Sequence, residues 1–92
     1  PAEIENVLMK HEHIADVAVI GVPSERWGET AMAVVARRDE RLTKEEVIEF
    51  CRQRIATYKC PTCVEWIDAI PRSAAGKILK VKLREQFAAR PK

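Results

Sequence analysis

The segment covering residues 14–22 restricts the possible folds of this chain more than any other, because it is rich in β-branched residues. Val17 and Val19 fall on one face of an extended segment. Ala18 and Ile20 fall on the opposite face, and both faces are apolar. The pattern therefore predicts a strand that is covered on both sides. A chain of 92 residues forms one domain with a single core, so other elements of that domain must provide the cover.

The remaining periodicities predict the elements around this strand. Helical spacing of apolar residues favours a first helix that ends near Lys10, and residues 30–36 and 63–67 are typical of two further strands. Asp68 to Gly76 is expected to be an irregular loop before a last helix. The resulting order αββαβα predicts a small α+β domain, in which helices pack on one three-stranded sheet.

The second helix has the clearest local signal. Thr43 and Glu46 have the spacing of a capping box, and Leu42 with Val47 that of a hydrophobic staple. The expected buried stripe of this helix also places Cys51 in the core.

Composition excludes several classes of protein. With 47% hydrophobic and 33% charged residues the chain is globular, and no apolar run has the length of a membrane helix. A net charge of +2 does not by itself indicate nucleic-acid binding. The basic residues do concentrate near the end, where they could form an anion-binding surface or a solvated helix face: Lys77, Lys80, Lys82, Arg84, Arg90 and Lys92.

Three cysteines without a framework of spacings favour a reducing, cytosolic setting. Cys60 and Cys63 form a C-x-x-C motif, but a redox site of that kind opens a helix, and a strand is expected here instead. A zinc site would need two more ligands, for which only His11 and His13 are available, far upstream. We therefore expect no metal site, and we rank a redox function of this motif well behind the functions considered below.

The most informative motif is Pro71-Arg-Ser-Ala-Ala-Gly76-Lys77, which places a lysine after a glycine. It is not a phosphate-binding P-loop, because Pro71 stands where that loop has its first glycine and Ile78 where it has Ser or Thr. The apolar residues that follow predict a helix beginning close to Lys77: Ile78, Leu79, Val81, Leu83 and Phe87. A cation is mildly disfavoured at a helix N-terminus, so Lys77 is more easily explained by an anion that it meets.

Taken together, five motifs resemble the small C-terminal domain of adenylate-forming enzymes, which include acyl-CoA synthetases, peptide-synthetase adenylation domains and luciferases. They extend over nearly the whole chain in the family's order: Pro1-Ala-Glu-Ile-Glu, His11 to Pro23, Glu25-Arg-Trp-Gly-Glu29, Tyr58-Lys59-x-Pro61 and Pro71 to Lys77.

The resemblance implies a mobile lid that closes over a large N-terminal domain, which binds ATP with Mg²⁺ and a carboxylic acid. Lys77 would then stabilise the charge that develops when the carboxylate attacks the α-phosphate. Gly76 would allow close approach of the backbone.

In the acyl-CoA synthetase branch, the resemblance also implies a second surface for the co-substrate CoA. Trp27 and Tyr58 match its aromatic residues, and Lys59 and Arg26 are nearby cations for CoA phosphates. Each aromatic residue could instead have a purely structural role. Trp27 would then cover the sheet edge, and Tyr58 would be a core residue with its hydroxyl at the surface. Cys60 and Thr62 stand where some CoA ligases have further basic residues.

The leading function is thus the lid of an acid–thiol ligase that makes acyl-CoA from a carboxylic acid, as in fatty acid metabolism. The alternatives are a lid that loads a carrier protein, or a non-catalytic binding module that uses its basic final helix. The family's hinge and ATP-binding domain would precede Pro1, so we expect a domain of a longer protein that is inert alone. Acylation of Lys77 by a lysine acyltransferase would switch off adenylation.

Overall fold

The computed structural model describes residues 2–24 and 28–88 of the chain. The elements in chain order are α1 (Ala2–Leu8), β1 (Ile14–Ser24), β2 (Gly28–Arg37), α2 (Lys44–Arg52), β3 (Cys63–Trp66) and α3 (Lys80–Leu83). A 3-10 turn, Thr57–Lys59, precedes β3, and a π-helical turn, Arg84–Ala88, continues α3. The predicted α+β fold and its αββαβα order are confirmed within these residues.

The strands form a mixed sheet of three strands in the order β1-β2-β3 across the described residues. β1 and β2 are antiparallel, with Val17 opposite Val35 and Ile20 opposite Met32. β2 and β3 are parallel, with Ala33 opposite Val64. A parallel pair needs a crossover connection, and α2 provides it.

Both faces of β1 are buried, as its sequence predicts. Val17 and Val19 pack in one core with α1 and α2, through residues such as Leu8 and Val47. We call this the first core. Ala18, Ile20 and Val22 lie in a second core on the opposite face, together with Met32, Val34, Ile70, Leu83 and Phe87. The sheet is therefore a central layer, with α1 and α2 on one side and α3 on the other.

The predicted capping box of α2 is present. The backbone N–H of Glu46 donates to Thr43 Oγ1 at 3.1 Å, and the backbone N–H of Thr43 faces Glu46 Oε1 at 3.4 Å. Leu42 and Val47 are both fully buried in the first core, as the staple requires. Two orphan N–H groups are thereby satisfied where the helix begins.

Glu5 connects three elements at the free edge of the sheet. Because β1 is an edge strand, its outward N–H groups have no strand partner. The N–H of Val19 donates instead to Glu5 Oε2 at 2.8 Å, and the same oxygen lies 3.1 Å from Lys80 Nζ. Glu5 of α1 thus fixes the start of α3 against β1.

The prediction for the start of the last helix is wrong. α3 begins at Lys80, and Ile78 pairs with Arg72 in an isolated antiparallel bridge. Lys77 therefore lies in the loop before the helix and not in its first turn. Within the predicted apolar stripe, Leu83 and Phe87 are buried, but Val81 is 65% exposed. The first helix is also shorter than expected, since it ends at Leu8.

Candidate functional site

The segment from Pro71 to Leu79 is a closed loop, which we call the lysine loop. The Ser73 N–H donates to the Lys77 carbonyl at 2.9 Å, and the Gly76 N–H donates to the Ser73 carbonyl at 2.9 Å. At its base, the Leu79 N–H donates to the Pro71 carbonyl at 2.9 Å. These bonds fix the backbone on both sides of Lys77, so the irregular loop expected from sequence is an ordered turn.

Gly76 has a backbone angle φ of +86°. An L-amino acid with a Cβ adopts this region at a cost, whereas glycine does not. A Cβ built at Gly76 would meet no atom of the described chain within 4 Å. The glycine is therefore required here by backbone conformation; close approach of a partner remains a prediction.

Lys77 is exposed, and its side chain has no hydrogen-bond or ion-pair partner among residues 2–24 and 28–88. Its backbone is held, because the Lys77 N–H lies 3.3 Å from Ser73 Oγ and its carbonyl accepts from the Ser73 N–H. A fixed backbone with a free ammonium group is suited to meeting an anion that another domain holds.

Arg72 was missed by sequence reasoning. Its Nε and Nη2 donate to the two carboxylate oxygens of Asp16 at 3.0 and 2.7 Å, and its Nη1 donates to the Gly76 carbonyl at 2.6 Å. The side-chain hydrogen bonds to Asp16 raise the pKa of this guanidinium above its usual value. The partners are 56 residues apart, so no local pattern signals the pair.

Tyr58 and Lys59 lie in the 3-10 turn before β3. The Tyr58 side chain is 85% exposed, so the reading of Tyr58 as a core residue is wrong. Lys59 Nζ lies 6.0 Å from the Tyr58 ring centroid and 3.5 Å from Glu3 Oε1. Trp27 and Arg26, the other two residues predicted for CoA, lie outside the described residues.

The two candidate surfaces are connected to opposite faces of the sheet. Cys60, which directly follows Lys59, packs in the first core. Ile78, which directly follows Lys77, packs against the second core. The two loops are therefore anchored in different cores, on opposite faces of the sheet.

Cys51 packs in the first core, as expected from the sequence. Cys51 and Cys60 are buried, and none of the three cysteines is in a disulfide. Burial, reinforced by the neighbouring Cys60 thiol, raises the pKa of Cys51 to about 12, which disfavours a reactive thiolate. Cys63 begins a strand, whereas a redox C-x-x-C motif opens a helix. No set of three His, Cys, Asp or Glu side chains in the described ranges could hold a metal ion.

The basic surface expected at the end of the chain is only partly defined. Lys80 is paired with Glu5, and Arg90 and Lys92 lie outside the described residues. Among the described helices, none is long and apolar enough to cross a membrane.

Fold and site together define a class of protein, a small α+β domain that presents an unpaired lysine on an ordered loop. Residues 3–77 match the family described as the AMP-binding enzyme C-terminal domain, and the chain belongs to this family. The resemblance read from the sequence motifs is thereby confirmed.

Two relatives of the chain are named as CoA ligases. It is 46% identical over 89 residues to the long-chain-fatty-acid–CoA ligase FadD13 of Mycobacterium tuberculosis, covering 97% of this chain and 18% of that protein. A methyl-dioxo-octahydroindenyl-propanoyl:CoA ligase of Rhodococcus jostii is 45% identical over 87 residues, 94% of this chain and 17% of the relative.

The solved structure of a Mycobacterium tuberculosis fatty acyl CoA synthetase superimposes with a TM-score of 0.90 at 46% identity, over 97% of this chain and 18% of that one. The chain thus spans about a fifth of the length of the proteins it matches.

Proposed function

We propose that this chain is the mobile C-terminal lid of an ATP-dependent acyl-CoA synthetase, an acid–thiol ligase whose large N-terminal domain binds ATP. A carboxylate oxygen of the acid attacks the α-phosphorus of ATP, and the bond to pyrophosphate breaks to give an acyl-adenylate. The CoA sulfur, having lost its proton, then attacks the acyl carbon, and AMP leaves. The observation that carries this proposal is that the loops bearing Tyr58 and Lys77 are anchored in different cores, on opposite faces of the sheet.

Lys77 is proposed as the catalytic residue of the first step. The attack on phosphorus builds negative charge on oxygen atoms, which an ammonium group stabilises when the closed site excludes water. The lysine is free to meet those oxygens, since its side chain has no partner within the described residues. Gly76 allows the turn that directs it outward.

The surface at Tyr58 and Lys59 is proposed to bind CoA in the second step. The exposed ring of Tyr58 offers a wall for the pantetheine arm, and Lys59 a cation for a CoA phosphate. Trp27 and Arg26 are proposed for the same surface from the family resemblance. CoA is favoured over a carrier protein as the acceptor, because both relatives described above are named as CoA ligases.

An Mg²⁺ ion that accompanies ATP is proposed to be bound mainly by the N-terminal domain. Three free cysteines fit a cytoplasmic protein. Lys77 is also proposed as a target of a lysine acyltransferase, since it is exposed, and acylation would remove its charge.

The test compares Lys77→Ala and Tyr58→Ala in the complete ligase that contains this domain. Acid-dependent exchange between ATP and pyrophosphate reports the first step, and thioester formation from preformed acyl-adenylate reports the second. Lys77→Ala is expected to lower exchange by roughly 10²–10³-fold and to leave the second step intact. Tyr58→Ala is expected to lower the second step by about 10-fold and to leave exchange intact.

Lys77→Gln, which imitates acylation, should lose exchange as Lys77→Ala does. Full exchange in both Lys77 variants would show that Lys77 is not the adenylation lysine. Loss of both steps in Tyr58→Ala would mean that Tyr58 contributes to the stability of the domain and does not belong to a CoA surface.

A further inference from the structure

Within the described residues, the Arg72 side chain hydrogen-bonds the lysine loop to the sheet. The Arg72 guanidinium spans from the Gly76 carbonyl, at 2.6 Å, to the two carboxylate oxygens of Asp16 on β1, at 3.0 and 2.7 Å. The Gly76 carbonyl belongs to the peptide bond that leads into Lys77. The planar guanidinium therefore joins that peptide directly to the sheet, with a geometry that a lysine could not reproduce.

Asp16 is itself held in place. The register of β1 against β2 shifts between Ile14 and Asp16, as at a β-bulge or a similar irregularity. Bulges redirect side chains at strand ends. Asp16 Oδ1 also accepts the N–H of Val17 at 2.9 Å, so the carboxylate is fixed on the strand before it meets Arg72.

We propose that the Arg72–Asp16 pair is a positioning device that sets the Gly76–Lys77 peptide, and with it the direction of the Lys77 ammonium, for adenylation. This inference rests on the proposed function of Lys77. Backbone hydrogen bonds close the loop upon itself, but only the Arg72 side chain, among the described contacts of Ser73 to Lys77, connects it to β1. Displacement of a reacting group by about 1 Å can cost about 10²-fold in rate.

The test uses Arg72→Lys and Asp16→Asn in the complete ligase, each measured by ATP–pyrophosphate exchange. Both variants should lower the kcat of exchange by about 10–10²-fold with little change in the KM for ATP, because the binding of ATP is left to the other domain. Thioester formation from preformed acyl-adenylate should be retained, which also shows that the variants are folded.

The chain offers a matched control. Arg41 donates from Nε and Nη2 to the two carboxylate oxygens of Asp39 at 3.2 and 3.0 Å, a similar two-point pair that has no contact with the lysine loop. Arg41→Lys makes the same chemical change there. It should leave both steps unchanged.

The decisive measurement is the double variant with Lys77→Ala. If Arg72 acts through Lys77, Arg72→Lys should cause no further loss of exchange once Lys77 is Ala. A further loss there, together with a raised KM for ATP, would mean that Arg72 contacts the nucleotide itself, and would overturn the positioning role. Unchanged exchange in Arg72→Lys, with exchange lost in Lys77→Ala, would also overturn it while the function of Lys77 stands. Retained exchange in Lys77→Ala would overturn both.

Discussion

Gly76 shows how one residue sets the direction of its neighbour. Its φ of +86° turns the chain immediately before Lys77, and the space around its Cα is open among the described residues. A side chain at this position would therefore meet strain in the backbone and no steric clash. The two effects can be separated by substitution.

Gly76→Ala is expected to destabilise the lysine loop by about 1–2 kcal/mol. The strained loop should relax to another conformation and carry Lys77 away from its direction, so the kcat of ATP–pyrophosphate exchange should fall in the complete ligase. Gly76→Asn is the matched control, because asparagine tolerates the left-handed region better than alanine. The loss of kcat in Gly76→Asn should be smaller than in Gly76→Ala, although asparagine has the larger side chain. A greater loss for Asn would show instead that close approach of a partner decides the requirement for glycine.

At this scale the sequence indicated the candidate residue but not its structural setting. Lys77 and Gly76 stand in a motif of seven consecutive residues, so their resemblance to a family was readable. The contact between Arg72 and Asp16 was not, because it depends on how a loop returns to a strand 56 residues earlier in the chain.

The elements of the fold differ in how well their ends could be predicted. The α2 helix has its start encoded locally, through the bonds between Thr43 and Glu46. The start of α3 has no such signal, because Leu79 at the N-cap position makes no side-chain hydrogen bond to the helix. The apolar residues before Lys80 fit the helical pattern, so the predicted helix included them. In the structure, Ile78 instead pairs with Arg72 in an isolated bridge. Hydrophobic periodicity alone could not separate these two outcomes.

The observed orientation of α3 can be tested by two truncations on the same helix. Leu83 is fully buried in the second core, and Val81 is 65% exposed. Leu83→Ala should lower the free energy of unfolding by about 2–5 kcal/mol, as for other buried leucines. Val81→Ala should change it by less than about 0.5 kcal/mol. Denaturant unfolding of the domain measures both, and equal losses would mean that the helix presents a different face to the sheet.

For the whole molecule, the α+β class and the strand order along the chain were predictable because β1 is apolar on both faces. That pattern predicts a layer that is covered on both sides, and in the structure helices provide the cover. The sequence could not show that the loops bearing Tyr58 and Lys77 are tied to opposite cores. That arrangement arises from the crossover through α2 and is a property of the assembled sheet.

The same architecture bears on the choice of acid. The described residues of the two candidate surfaces do not resemble an acyl pocket, since the exposed Tyr58 ring and the exposed Lys77 enclose no apolar space. The chain is also almost equally similar to ligases named for a long-chain fatty acid and for an octahydroindenyl-propanoic acid, at 46% and 45% identity. The acid is therefore expected to be selected by the N-terminal domain.

Exchange of domains tests this expectation. If this chain replaces the C-terminal domain of the long-chain-fatty-acid–CoA ligase FadD13, the absolute rate should fall, because the interface between the domains is no longer matched. The ratios of kcat/KM between short, medium and long acids should stay within about 3-fold of those of FadD13, since a lid that contacts only carboxylate and phosphate oxygens stabilises every acid's transition state alike. Lys77→Ala in the hybrid should then lower adenylation of all acids by the same factor. A hybrid whose preference moved toward a different acid would show that this domain contributes to the acyl pocket.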